Sequence, residues 1–144
     1  MEQGLILGRL GVQAGEAESM SPILLAYLGD AVYDLLVREY VLARYPGHVH
    51  LVNQEKTRLV CAHAQSEIMG FLMAGGVLRP GEDGIYRRAR NHKTESHSKN
   101  SSAQEYHRAT GFEALIGYLY LRGETERMAE LVAAGIRHLE EMRK

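Results

Sequence analysis

The chain has 144 residues, of which 45% are hydrophobic and 24% are charged, a composition that excludes fibrous and intrinsically disordered proteins and fits one globular domain. Its only cysteine, Cys61, excludes an internal disulfide framework and favours a reducing compartment, so we expect a cytoplasmic protein with a buried, inert thiol. The net charge of −1 does not mark the whole chain as a nucleic-acid binder, and no apolar run approaches the roughly 18 residues needed to span a membrane.

Helical patterns cover most of the chain. After a weakly patterned lead-in at residues 1–20, Ser21–Pro22 is a helix start signal in which a capping hydroxyl precedes proline, and helical spacing then continues to about Arg44. No segment reads as a strand, so we expect an all-α fold with residues 21–144 as one domain. Further helices are predicted, in chain order, at 51–60, 62–74, 80–90, 102–121 and 128–139.

The segments 51–60 and 62–74 fit either two helices or one helix bent near Cys61. Six of their apolar positions are expected to face the core: Leu51, Leu59, Val60, Ile68, Phe71 and Leu72.

Two carboxylates stand inside apolar helical runs. Asp30 lies in Leu28–Tyr33 and Glu113 lies in Gly111–Tyr118. A carboxylate that is removed from water costs several kcal/mol unless a cation or hydrogen bonds compensate. Gly29, in mid-helix, costs about 0.5–1 kcal/mol relative to alanine, which indicates that something approaches the backbone closely there. Either each acid is bonded by a neighbouring helix or an arginine, or both hold one metal ion.

A shared metal ion would be Mg²⁺, with Mn²⁺ as an alternative, because a few oxygen ligands supplemented by water suit these ions. Both ions activate water and stabilise phosphoryl oxygens, so phosphodiester hydrolysis is the reaction class that this interpretation favours. Asp34 lies one helical turn after Asp30 and either supports the site or is simply solvated.

A basic segment lies between the two acids. Residues 87–99 contain five basic residues and one acidic residue. One explanation is a solvated helix end whose arginines suit the helix dipole. The other is a clamp for RNA, in which Asn91 and His92 reach 2′-hydroxyl groups. The candidate phosphate contacts in that clamp are Arg87, Arg88, Arg90, Lys93 and Lys99.

The segments around Asp30 and Glu113 resemble the two signatures of the ribonuclease III catalytic domain, and the helical pattern between them extends the resemblance over residues 21–143. The resemblance implies an all-helical homodimer that cuts double-stranded RNA with Mg²⁺ and water, leaving a 5′-phosphate and a 3′-hydroxyl. It also implies that Asp30 and Glu113 are the catalytic, metal-binding acids.

The departures from that family are informative. Ala26 and Thr110 stand where the full-length family has two further acids, which leaves Thr110 as a supporting residue at most. We also expect no space for the double-stranded-RNA-binding domain that usually follows. Both departures are similar to the mini-ribonuclease III subgroup, which is associated with maturing the ends of large-subunit (23S) ribosomal RNA in bacteria. The resemblance therefore implies precursor rRNA as substrate, with a ribosomal protein as a candidate partner.

Two other functions are compatible with the residues. With two acids fewer, the same fold could serve as a non-catalytic RNA-binding module in ribosome assembly. A helical phosphohydrolase for small nucleotides is the second, although the chain has no His-Asp dipeptide, on which enzymes of that class depend. Metal-dependent cleavage of duplex RNA separates the first alternative from the nuclease, and turnover of mononucleotides identifies the second.

Overall fold

The computed structural model describes residues 4–92 and 102–144, and in this part of the chain all regular structure is helical. The prediction of an all-α fold is therefore confirmed. A short 3₁₀ turn at Ala17–Ser19 precedes the second helix, and none of the described helices is long and apolar enough to cross a membrane. The α-helices are α1 (Leu5–Leu10), α2 (Pro22–Arg44), α3 (Val49–Val60), α4 (Ala62–Ala74), α5 (Pro80–Arg90), α6 (Ala103–Leu121) and α7 (Thr125–Met142).

Helix α6 forms the centre of the fold. From Ala109 to Leu119 every residue except Glu113 is buried, as expected for a helix that is apolar on all sides. Helices α2, α4 and α5 pack directly against α6, and α7 packs against α4 and α6. Glu113 is therefore the one charged residue placed within the buried part of the central helix.

The helix ends follow local sequence signals in most places. Ser102 caps α6 by accepting a hydrogen bond from the Glu105 backbone N–H at 3.1 Å, and the Glu105 carboxylate accepts one from the Ser102 N–H at 3.3 Å. Ser21 occupies the same position before α2, but its side chain makes no capping bond. Extended backbone at Cys61, with ψ at 160°, separates α3 from α4, so two helices form. The Cys61 thiol is exposed, and the expectation of a buried thiol was wrong.

The prediction of core-facing positions was correct for Leu59, Ile68 and Leu72, which are buried, and wrong for Phe71. The Phe71 side chain is 42% exposed and stacks on the ring of His138 in α7, with 4.2 Å between ring centroids. Phe71 lies at the margin of the α4–α7 contact, where an aromatic ring can cover its neighbour without entering the core.

A buried ion pair fixes the start of α5 to the start of α7. The Arg127 Nε and Nη2 atoms donate to the two oxygens of Glu82 at 2.8 and 2.9 Å, and Nη2 also donates to the Val77 carbonyl at 2.6 Å. One Glu82 oxygen accepts a further bond from the Arg79 backbone N–H at 2.9 Å. Burial raises the pKa of Glu82, but these hydrogen bonds and the Arg127 charge outweigh it and hold that pKa below its ordinary value.

Candidate active site

Helices α2 and α6 touch backbone to backbone at the place where the two acids lie. A Cβ atom on Gly29 would stand 1.7 Å from the carbonyl oxygen of Glu113, and one on Gly117 would stand 2.1 Å from the carbonyl oxygen of Leu25. Only glycine permits helices to come this close. The close approach inferred from Gly29 is thus confirmed, and the crossing brings Asp30 beside Glu113.

The two carboxyl groups differ in their environment. Asp30 is exposed, although the apolar residues around it suggested burial, whereas Glu113 is only partly accessible within the buried stretch of α6. Burial, followed by the hydrogen bond and the charge of Asp30, raises the pKa of Glu113 to about 8. The Glu113 carboxyl with its raised pKa sits beside a second carboxylate, a position that a divalent cation would suit in place of the proton.

Gln65 of α4 is the third side chain at this site, and sequence reasoning missed it. The buried Gln65 amide donates to the Val60 carbonyl at 3.1 Å and lies 3.5 Å from an oxygen of Glu113. This contact holds the Glu113 side chain in place and opposes the rise of its pKa. The available signal was an amide that shares a predicted core helix with Ile68 and Leu72.

The donor set fits a hard divalent cation such as Mg²⁺. Carboxylate oxygens are its preferred protein ligands, and the exposure of Asp30 leaves one side of the pair accessible to water and to substrate oxygens. Within the described residues, 4–92 and 102–144, no group of three or more His, Cys, Asp or Glu side chains is arranged to hold a metal ion. The chain's own carboxylate ligands there would be Asp30 and Glu113.

The two supporting candidates are engaged elsewhere. Asp34 accepts a hydrogen bond from Arg38 at 2.5 Å and pairs with Lys56 at 3.1 Å. Burial raises the pKa of Asp34, but these two cations outweigh it and lower that pKa. The buried Thr110 hydroxyl donates to the Tyr106 carbonyl within α6 at 3.0 Å.

The end of α5 carries the described part of the basic segment. Arg87 pairs with Asp83 at 2.7 Å, one helical turn before it. The Arg90 Nε donates to the Asn91 side-chain oxygen at 3.1 Å, and the Arg90 guanidinium lies 5.5 Å from the centroid of the Tyr86 ring. Arg90 is therefore directed back towards the protein interior, whereas Arg87 is partly neutralised at the surface.

Arg88 and His92 are exposed and make neither an ion pair nor a side-chain hydrogen bond that is found within the described residues, whereas the exposed Asn91 is bonded to Arg90. They are consequently accessible to an anionic partner. Lys93 and Lys99, the other two candidates, lie outside the described residues.

The chain is similar to proteins of known family. Residues 24–124, which include both acids, match the family model described as "Ribonuclease III domain". Two proteins named "Mini-ribonuclease 3" illustrate the similarity. The one from Symbiobacterium thermophilum is 41% identical over 122 residues, which is 85% of this chain and 92% of that protein. The one from Enterococcus faecalis is 36% identical over 115 residues, which is 80% of this chain and 87% of that protein.

A solved structure shows the same likeness in three dimensions. The X-ray crystal structure of a protein from Fusobacterium nucleatum superposes with a TM-score of 0.73 at 30% sequence identity. The superposition covers 83% of this chain and 94% of that one.

Proposed function

The chain belongs to the ribonuclease III domain family and is an endoribonuclease, and we propose that residues 21–144 form a catalytic domain that cuts double-stranded RNA with a divalent metal ion. The observation that carries this proposal is the Asp30–Glu113 pair at the α2–α6 crossing. Asp30 and Glu113 would hold Mg²⁺, with Mn²⁺ as the alternative. The bound ion would supply activated water and charge stabilisation for a hydrolysis that leaves a 5′-phosphate and a 3′-hydroxyl.

The protein's own residues have separate tasks in this proposal. Asp30 is the acid accessible to an RNA strand, because its side chain is exposed on α2. Glu113 is held in a fixed position by burial and by Gln65. With only two acids, the remaining coordination positions fall to water and to phosphate oxygens of the substrate, so metal affinity without RNA is expected to be weak.

The proposed substrate is precursor 23S rRNA, whose ends the enzyme would mature in the cytoplasm. Support comes from the resemblance to the mini-ribonuclease III subgroup and from the basic end of α5, where Arg88 and His92 are accessible to phosphates and 2′-hydroxyl groups. A ribosomal protein that presents the RNA is a candidate partner.

A homodimer is the proposed assembly, because two sites related by a two-fold axis would address the two strands of a duplex. An exposed apolar stripe on α2 supports it. Leu24 is 56% exposed and Tyr27 is 80% exposed, and Leu35 continues the stripe about two turns further on. Contiguous exposed apolar side chains are typical of surfaces that are buried in an assembly.

Incubating the protein with precursor large-subunit rRNA, with and without Mg²⁺, and mapping the RNA ends tests the proposal. Discrete cuts that need the metal and leave 5′-phosphates are expected. RNA binding without any cleavage would instead favour the alternative function, a non-catalytic RNA-binding module for ribosome assembly.

A further inference from the structure

A polar pocket lies between α4, α5 and α6, separate from the Asp30–Glu113 pair. Its polar lining within the described residues consists of Tyr86, Arg90, Asn91, Gln104, His107 and Arg108, and it includes no carboxylate. Glu105 acts electrostatically with Arg108, but the Glu105 carboxylate is bonded to Ser102 and His63. The two arginines therefore give the pocket a positive charge that the described acids leave unpaired.

Two hydrogen-bond donors in this pocket are buried without an acceptor. Tyr86 is only 1% exposed, and neither its hydroxyl nor the Arg108 Nε has a hydrogen-bond acceptor in the described part of the chain. Burial raises the pKa of Tyr86 although Arg90, Arg108 and Arg87 oppose the rise, so the hydroxyl keeps the proton that it can donate. Buried donors normally have partners, and an exception needs an explanation, of which a bound anion is one.

Two glycines make the room for these side chains. A Cβ atom on Gly111 would lie 2.5 Å from the Tyr86 ring, and one on Gly70 would lie 3.1 Å from Nη2 of Arg108. The helix backbones of α6 and α4 thus hold the phenol ring and the guanidinium group in place before any ligand binds. Such preorganisation lowers the cost of ordering them on binding.

We propose that Tyr86, Arg90 and Arg108 form a pocket for a backbone phosphate of the bound RNA, an inference that rests on the proposed function. Phosphate oxygens only accept hydrogen bonds, and the pocket offers a phenol O–H and two guanidinium groups that only donate from their N–H groups. The neighbouring Arg88, which is exposed, extends the same charge along the end of α5. Arg108 precedes Glu113 by five residues, about 7.5 Å along the helix axis.

Tyr86→Phe is the decisive variant, because it removes one oxygen and no charge. Affinity for a short RNA duplex is measured without divalent metal, so that the RNA stays intact. The variant is expected to bind about threefold to tenfold more weakly with an unchanged salt dependence, and to unfold at a slightly higher temperature because a buried unpaired hydroxyl is gone. Unchanged affinity would overturn the proposal.

Arg108→Gln is the second variant and is expected to weaken binding by about tenfold and to lower the salt slope by about one. The control is Tyr33→Phe, which loses a hydrogen bond to the Leu59 carbonyl at 2.8 Å and should unfold earlier while binding RNA normally. If Arg108→Gln does not fold, Tyr86→Phe decides alone.

The source of the phosphate is tested with duplexes that carry 5′-hydroxyl or 5′-phosphate ends. An equal loss of affinity on both duplexes supports a backbone phosphate, and a loss confined to the phosphorylated ends would overturn that assignment. If the wild-type protein neither binds nor cuts the duplex, the proposed function itself fails. If it does both and the variants bind as tightly, only the pocket is overturned.

Discussion

The α-carbon of Gly29 in α2 lies so close to Glu113 in α6 that a Cβ atom at position 29 would stand 1.7 Å from the Glu113 carbonyl oxygen. Gly117 makes the reciprocal approach to Leu25 one turn further along α6. Because both contacts are between backbones, the distance between α2 and α6 is fixed at this point. The spacing of Asp30 and Glu113 is therefore determined by two residues without side chains.

Gly29→Ala is expected to destabilise the protein by about 1–3 kcal/mol or more, because the methyl group must push α2 away from α6. Cleavage of duplex RNA should fall with it, since Asp30 moves relative to Glu113. Urea unfolding and a cleavage assay below the unfolding transition measure the two effects. Gly84→Ala is the matched control: its Cβ atom meets nothing within 4 Å, so a gain of about 0.4–1 kcal/mol and unchanged cleavage are expected. Wild-type stability in Gly29→Ala would contradict the packing described for the crossing.

Asp30→Asn and Glu113→Gln are each expected to lower the rate of RNA cleavage by at least about a hundredfold, since amides of the same shape carry no charge for a cation. The folded structure should remain, and Glu113→Gln should unfold no earlier than the wild type because a buried acid is removed. Circular dichroism and gel assays of duplex cleavage provide the measurements. Glu126→Gln, an exposed glutamate of α7, should cut normally. Near wild-type cleavage by either variant would remove that residue from the active site.

Helix order and the two acids could be predicted from the sequence because their signals are local. The environment of each acid could not. Asp30 is exposed although Val32 beside it is buried, because residues two positions apart face different sides of a helix. The contact of Gln65 with Glu113 depends on how α4 packs against α6, which no local pattern in α4 contains.

Arg88→Ala is expected to weaken binding of duplex RNA and to lower the slope of affinity against salt by about one, because one phosphate contact is lost. Arg87→Ala should have a smaller effect, since Asp83 already pairs with Arg87. Lys93→Ala tests the same expectation for the adjoining part of the segment. Titrations at several salt concentrations give the slope. Arg137→Ala, which replaces an exposed arginine of α7, is the control. Equal salt slopes for Arg137→Ala and Arg88→Ala would favour the interpretation of the basic segment as a solvated helix end.

Leu24→Lys is expected to convert the proposed dimer into a monomer, because a charge would be buried where the exposed stripe on α2 would meet its copy. Sedimentation velocity of the variant and the wild type measures the change. Val49→Lys places the same charge on another exposed apolar position, in α3, and should leave the dimer intact. Equal sedimentation of all three proteins as dimers would place the interface on another surface.

Glu82→Gln is expected to cost about 3–5 kcal/mol of stability at neutral pH, because the buried Arg127 would keep only the exposed Glu130 as a counter-charge. The pKa of Glu82 is lower in the folded protein than its ordinary value of 4.5. Its contribution is therefore complete above about pH 4.5 and is lost as the pH falls through the folded value. Urea midpoints of the wild type should drop steeply on acidification, and those of Glu82→Gln should change less.

Glu130→Gln removes the exposed partner of Arg127 and should cost less than about 1 kcal/mol. If the urea midpoints of the wild type and Glu82→Gln fell in parallel as the pH was lowered, Glu82 would have the same pKa in the folded and unfolded chains.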